Sequence, residues 1–352
     1  MQNYNQEYFE KFEEFKKTAN VLLEGFYDFK KQVQSNNKID LSRQFSLINL
    51  PSEGKYYLDK KKSLLVRYLT ATEEHVLCDS MLMESGRGIE LVLQNLIIDD
   101  IDVKNLLLGD FQALLIFLRS TAYGDNVNFN IKCPHCEKES EHAFQLSSFS
   151  FKKPKNEPNE DGKYRIGLQL AEIELDIVIS PLTLRSEMQK FENETDQDYF
   201  EFKDDEGNVT RIRKDKTLSL IYNIESINEI TDKQKIKKII RSIPKKGFDA
   251  ISDFINENQS GIDENVNFVC PFCAEEFSQN IAVGYNFLSL PSSHKENIFE
   301  EMFLITYYGK GITRADALSM PILERKWHIR RIKEEVDKRN EEEKRAVSKG
   351  KK

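Results

Sequence analysis

The spacing of apolar positions changes character near residue 45. From residue 7 to residue 33, Phe9, Phe12, Phe15, Ala19, Leu22, Phe26 and Val33 recur mostly at steps of three and four, with Lys and Glu between them. That is the period of a helix with one apolar face. A polar run, Ser35-Asn36-Asn37, separates it from the rest of the chain. It therefore reads either as a helix packed on its own domain or as a docking arm for a partner, with Phe9, Phe12 and Phe26 as contacts. Beyond Phe45 the segments shorten. Leu50-Pro51-Ser52-Glu53-Gly54-Lys55 punctuates a turn, and Ser63 to Leu69 reads as a strand. Thr70-x-x-Glu73 predicts a helix start, because hydroxyl and carboxylate together satisfy orphan amide donors of the first turn. Helical runs continue over 88–95 and 111–119. In the second, Leu114, Leu115, Phe117 and Leu118 are apolar on nearly every side, which predicts burial.

Tyr123-Gly124-Asp125 is a turn, and the alternation of Val127, Phe129 and Ile131 predicts a strand leading to Cys133-Pro134-His135-Cys136. A polar linker spans 152–162. The second stretch repeats the first loosely: a strand over 170–180, Leu182 to Met188 echoing the segment from Leu69, then helices from Ile236 and Phe248 leading to Cys270-Pro271-Phe272-Cys273. Asn126-Val127-Asn128-Phe129 precedes the first cysteine pair and Asn265-Val266-Asn267-Phe268 the second, which suggests two related halves. Chance similarity between strands that feed similar turns is the plainer alternative. Toward the C-terminus, Leu323, Trp327, Ile332 and Val336 mark a short apolar stripe, open to cover by a partner or by the main body, along a Glu-Lys-Arg helix over 330–345. Trp327 is the only tryptophan and a candidate interface anchor.

Four of the five cysteines fall in the two CPxC turns, and Cys78 lies in the apolar run Val76-Leu77-Cys78 as a core residue. A CxxC turn offers two thiolates from one tight loop, and two such turns complete the tetrahedron of a structural zinc site. Positions 137 to 269 intervene, far more than a single ribbon needs. Two separate sites are the alternative, but each would lack two ligands. The sequence thus predicts one shared structural zinc held by Cys133, Cys136, Cys270 and Cys273. CPHC is also a redox-active dithiol sequence, so a thiol-disulfide oxidoreductase is the enzymatic rival. That chemistry wants the first cysteine at a helix N-terminus, whereas Ala143 to Leu146 continue as a strand. His135 and His142 then read as surface positions.

Composition narrows the classes. A formal charge of −8 argues against general nucleic-acid binding, which needs surplus cations. No apolar run approaches the length of a membrane span. The acidic N-terminus lacks the zones of a signal peptide, so the cytoplasm is the expected compartment. Walker, dinucleotide, HExxH and nucleophile-elbow motifs are absent, so no catalytic residues are assigned.

The order of short motifs resembles a family of baseplate hub and hub-assembly proteins from T-even-like contractile-tailed bacteriophages. The matching pieces are Leu50-Pro51-Ser52-x-Gly54-x-x-Tyr57, Leu69-Thr70-x-x-Glu73-Glu74, Asp110 to Gly124, the first knuckle, Ser260-Gly261-Ile262-Asp263-x-x-Val266 with the second knuckle, Phe287-Leu288-x-x-Pro291, and Leu318-Ser319-Met320-Pro321-x-x-Glu324-Arg325. They cover roughly 45–335. The resemblance implies a non-enzymatic structural role in the baseplate hub, in contact with other hub proteins and the tape-measure protein. It places the chain in the host cytoplasm during assembly and in the virion tail baseplate. A dedicated hub or tape-measure assembly chaperone that is not incorporated is the alternative. The chain departs from the family in its N-terminal segment and in the insert at 196–216.

The expectation is therefore an α+β protein in which two related α/β modules are joined by a discontinuous four-cysteine zinc ribbon and flanked by amphipathic helices. Its segments are an N-terminal helical arm (1–40), a first module with the first knuckle (41–150), a second module with the second knuckle (151–290) and a C-terminal helical region with a polar tail (291–352).

Overall fold

The structure, a computed structural model, describes residues 44–170, 173–193, 199–203, 209–213 and 220–349. The arm assigned to 1–40, with Phe9, Phe12 and Phe26, lies outside the described residues. In chain order, β1 (Phe45–Asn49) and β2 (Ser63–Arg67) lead to α1 (Ala71–Leu77), α2 (Ser80–Glu84), α3 (Arg87–Leu96) and α4 (Leu108–Tyr123). The strands β3 (Asn126–Lys132), β4 (Glu139–Gln145), β5 (Phe151–Lys152), β6 (Tyr164–Leu170) and β7 (Ile173–Ile179) come next. After them lie α5 (Leu184–Asn193), β8 (Tyr199–Lys203), β9 (Val209–Arg213), β10 (Ile224–Ile227), α6 (Lys233–Ser242) and α7 (Lys245–Asn258). The chain closes with β11 (Gly261–Ile262), β12 (Asn265–Val269), β13 (Glu276–Asn280), α8 (His294–Tyr308), α9 (Arg314–Ser319) and α10 (Ile322–Lys349). Helices and small antiparallel sheets make this an α+β chain. Among the described residues no helix is long and apolar enough to cross a membrane.

By packing, the chain divides into two units, one taking residues up to 46, 67–98 and 288 onward, the other 47–66 and 99–287. In the first, α1 starts where the sequence predicts. The Thr70 hydroxyl accepts from the Thr72 amide, and Glu73 accepts from the Thr70 amide at 2.9 Å. Ala71, Cys78, Ile298, Met302, Ile305, Ala317 and Ile329 form its core, so Cys78 is buried as its apolar run predicts. The Leu69 and Leu318 motifs, far apart in sequence, meet here. The Ile322 amide donates to the Leu69 carbonyl at 3.0 Å, and Thr70 bridges Pro321. Arg325 reaches Glu74 and Glu301 inside the unit. The inward face of α10 is Ile322, Arg325 and Ile329, and Ile332 of the predicted stripe packs against the same core. Leu323 and Trp327 point to its other side, because the contact with α8 fixes the rotation of the helix about its axis.

The second unit is built on a three-stranded antiparallel sheet in the order β10-β7-β6. The strand expected over 170–180 is the second arm of a hairpin with β6, a strand not among the expectations above. Along β7, Leu175, Ile177 and Ile179 are buried while Asp176 and Val178 are not, the alternation of a half-buried strand. That face meets Ile236 and Ile240 of α6 and Ile251 and Ile255 of α7. Full burial of each such side chain contributes about 1.5–3 kcal/mol. The all-round apolar α4 is buried as predicted, with Leu114, Leu115 and Leu118 at 0 % exposure. Two more motif pairs anchor α4. Asp110 accepts from the Ser52 amide (2.9 Å), the Ser52 hydroxyl (2.6 Å) and the Tyr57 hydroxyl (2.7 Å), which docks the Pro51-Ser52 turn on the start of the helix. Gly109 lies against Gly261, so close that a Cβ on Gly109 would fall 2.6 Å from the Gly261 Cα. A glycine at 109 lets the helix and β11 approach this far, whereas a Cβ on Gly261 would lie 3.6 Å from the Gly109 Cα, an ordinary contact.

Candidate metal centre

Two antiparallel hairpins of this second unit carry the cysteines. β3 and β4 pair from Asn126↔Gln145 to Lys132↔Glu139, and β12 and β13 from Asn265↔Asn280 to Val269↔Glu276. The turn bonds repeat. The Cys133 amide donates to the Lys138 carbonyl at 3.0 Å and the Glu137 amide to the Cys133 carbonyl at 2.9 Å. Correspondingly, the Cys270 amide donates to the Glu275 carbonyl at 3.0 Å and the Ala274 amide to the Cys270 carbonyl at 2.9 Å. Glu137 (φ 57°) and Ala274 (φ 59°) both occupy the left-handed region, which costs a non-glycine residue about 1–2 kcal/mol. Holding that strain at both knuckles folds each pair of thiols to one side of its turn. The shared Asn-Val-Asn-Phe tetrapeptides, by contrast, are out of step. Aligned on the first cysteine of each knuckle, Phe268 corresponds to Ile131 rather than Phe129. The likeness of the hairpins lies in the turns.

An aromatic wedge sets one hairpin against the other. His142 stands with its ring 5.1 Å from Phe268 and edge-on to Phe277, and Phe144 meets Phe268 and Phe149. His142 also shares a hydrogen bond of 2.8 Å with the Ser140 hydroxyl. It is half-buried, not the surface position that the sequence predicts, since alternate residues of β4 face the second hairpin. The signal was there in the alternation of Ser140, His142 and Phe144. His135 is exposed, as expected.

Because the hairpins meet this way, Cys133 Sγ lies 3.7 Å from Cys273 Sγ and Cys136 Sγ 3.6 Å from Cys270 Sγ. All four sulfurs fall within 4.8 Å of one another. A zinc ion with sulfurs at about 2.3 Å in a tetrahedron holds them about 3.8 Å apart, whereas a disulfide needs about 2.05 Å. The five cysteines are free thiols. Donor type, number and spacing therefore fit a four-thiolate metal site, with Cys133 and Cys270 buried and Cys136 and Cys273 partly so. The electrostatics agree. At Cys270 burial opposes ionisation, but the Cys273 and Phe272 amides outweigh it and bring the thiol down to about 6. At Cys273 the Glu275 amide favours the thiolate, yet burial and the neighbouring thiols raise it to about 12. Sulfurs this close resist ionising together, and a bound cation removes that resistance. Both CPxC turns lie between strands, so neither has a cysteine at a helix start, the geometry a redox dithiol needs. Trp327, the remaining described candidate, belongs to the other unit and is 52 % exposed.

Residues 42–287 match the family described as T4 bacteriophage base plate protein. No curated protein and no solved structure matches the chain. The matched stretch contains both knuckles and the Ser52–Tyr57–Asp110 cluster, while the Leu318 to Arg325 motif lies beyond it.

Proposed function

The chain belongs to the T4 bacteriophage base plate protein family, a family of phage baseplate components, and on that premise we propose that it is a structural subunit of the baseplate hub whose second unit is fastened by zinc. The observation that carries the metal reading is the convergence of four thiols, two from each hairpin, at the spacing of a tetrahedral site. Cys133, Cys136, Cys270 and Cys273 hold the ion. A divalent ion supplies positive charge that stabilises four thiolates, and its binding free energy is also folding free energy. The protein's part is to present the sulfurs: the strained turns aim them and the His142–Phe268–Phe277 wedge sets the angle between the hairpins. The result is a fixed surface for neighbouring hub proteins, with the tape-measure protein as a further contact. Phe9, Phe12, Phe26 and Trp327 are the proposed partner-binding side chains. The matching turn geometry supports reading the hairpin-bearing segments 41–150 and 151–290 as related modules between the helical segments 1–40 and 291–352. No chemistry on a substrate is proposed. Assembly takes place in the host cytoplasm and the subunit remains in the tail baseplate.

Elemental mass spectrometry of the purified chain, paired with a thiol count before and after chelation, tests the metal. One zinc per chain with four thiols protected until chelation is the expected result. Metal content and stability unchanged in Cys133→Ser/Cys270→Ser would sink it. Particle composition tests the role: fixed stoichiometry in mature tails is expected, and absence from them points instead to an assembly chaperone.

A further inference from the structure

The outer face of α8, in the first unit, carries a row of aromatic side chains in solvent. Phe299, Phe303 and Tyr307 follow one another at steps of four along the helix, which stacks them on one face, and each is more than half exposed. Ile298, Met302 and Ile305 are the buried side chains of the same helix, so the row stands nearly opposite the core. The rings are held in place before any partner arrives. Phe303 and Tyr307 stack with centroids 5.3 Å apart, Tyr308 stands edge-on to Tyr307 at 4.9 Å, and the His75 ring of α1 lies 5.5 Å from Phe299. Ordered rings lose little side-chain freedom on association, and aromatic side chains are favoured as interface anchors.

The spacing of charges around the row identifies its occupant. Glu296 lies seven positions before Phe303 and Lys310, just past the helix end, seven positions after it, and both are exposed. Phe299 and Tyr307 lie four positions to either side. The face is therefore its own complement about a two-fold axis through Phe303. Set antiparallel against a second copy, Phe303 meets Phe303, Phe299 meets Tyr307, and Glu296 meets Lys310 at both ends, where the long lysine stem spans the remaining distance. Glu300 then faces Thr306, and no like charges stand directly opposite. A parallel pairing would instead set Glu296 beside Glu296. We infer that the Phe299–Phe303–Tyr307 face of α8 joins two copies of this chain as an antiparallel homodimer. A ring that would bury about 150–250 Å² in full has about 100 Å² left to cover here, so the contact falls below about 1,200 Å² and is a weak, reversible one. The dimer depends on neither the metal nor the baseplate role.

Sedimentation of the full-length chain across micromolar concentrations reads the equilibrium, with monomer passing to dimer as concentration rises. Phe303→Asp places two carboxylates on the axis and should weaken association roughly tenfold or more. Its far-UV circular dichroism and melting temperature should stay as in wild type, because Phe303 is exposed. Glu296→Lys and Lys310→Glu each set like charges at both ends and should weaken association roughly fivefold. Mixing these two single variants should restore it, since every end of the mixed pair again joins opposite charges, and so should the double variant Glu296→Lys/Lys310→Glu. A wild-type chain that stays monomeric throughout, a dimer untouched by Phe303→Asp, or single-charge variants that regain nothing on mixing would each overturn the inference.

Discussion

The buried ion pair of the first unit offers the sharpest test of how the fold is held. Arg325 and Glu74 are both 0 % exposed; Arg325 donates through Nη2 to Glu74 and through Nε to Glu301 at 2.7 Å, while Glu74 Oε1 meets His294 Nε2 at 3.1 Å. Arg325→Met keeps the length and packing of the stem but removes the cation. Glu74 then stays in a dry interior with its guanidinium partner gone, a loss of about 3–5 kcal/mol. Glu301, with its side chain 23 % exposed, can turn to water and adds little. Against a total stability of about 5–15 kcal/mol, that is a large fraction. Urea unfolding followed by Trp327 emission reports on the same helix, and at a slope of about 1–3 kcal/mol per molar the midpoint should drop by about 2 M. Glu74→Met/Arg325→Met should recover most of the loss, since no charge is then left buried. A single variant within about 1 kcal/mol of wild type, or a double variant as weak as the two single losses added together, would refute the reasoning.

Thr70→Ala removes one half of the α1 capping box and should cost about 1 kcal/mol, seen as faster amide exchange in the first turn. Gly109→Ala places a Cβ 2.6 Å from the Gly261 Cα and 2.7 Å from the Ser260 carbonyl. Backbone cannot yield as a side chain does, so a loss of at least about 1–3 kcal/mol is expected in thermal melts. Phe268→Ala empties the wedge between the hairpins at a residue only 7 % exposed. It should cost about 3–5 kcal/mol and weaken thiol protection, whereas unchanged thiol reactivity would show that the wedge does not orient the cysteines. Asp316 titrates below the ordinary carboxylate range because the Thr313 hydroxyl and amide donate to it. A depressed folded value means its contribution is present above about pH 3.9 and is lost as pH falls through the lower folded value. Thr313→Ala should return the carboxyl toward its ordinary range in an NMR titration.

What the sequence by itself determined was local. The capping box at Thr70, the alternation of β3, the all-round apolar α4, the burial of Cys78 and the shape of each CPxC turn depend on neighbours within a few residues, where sterics and hydrogen-bond stoichiometry leave few options. The second arm of the β6–β7 hairpin was legible because its alternation is strong. The first arm carries the same signal, with Tyr164, Ile166, Leu168 and Leu170 alternating with Arg165, Gly167 and Gln169. Tertiary structure alone decided which distant segments meet. Ser52 and Tyr57 with Asp110, Gly109 with Gly261, and Glu74 with Arg325 are visible in sequence only as separate motifs, since nothing in one chain's order of residues encodes their pairing. The same holds for the rotation of α10. Its sequence offers two apolar tracks, Leu323–Trp327 and Ile322–Ile329, and packing against α8 buried the second. For the cysteines, local chemistry set two thiols on each turn, and the aromatic contact between hairpins brought the turns together across positions 137 to 269. A tetrahedral donor set is a property of three-dimensional distance, and only the fold supplies that distance.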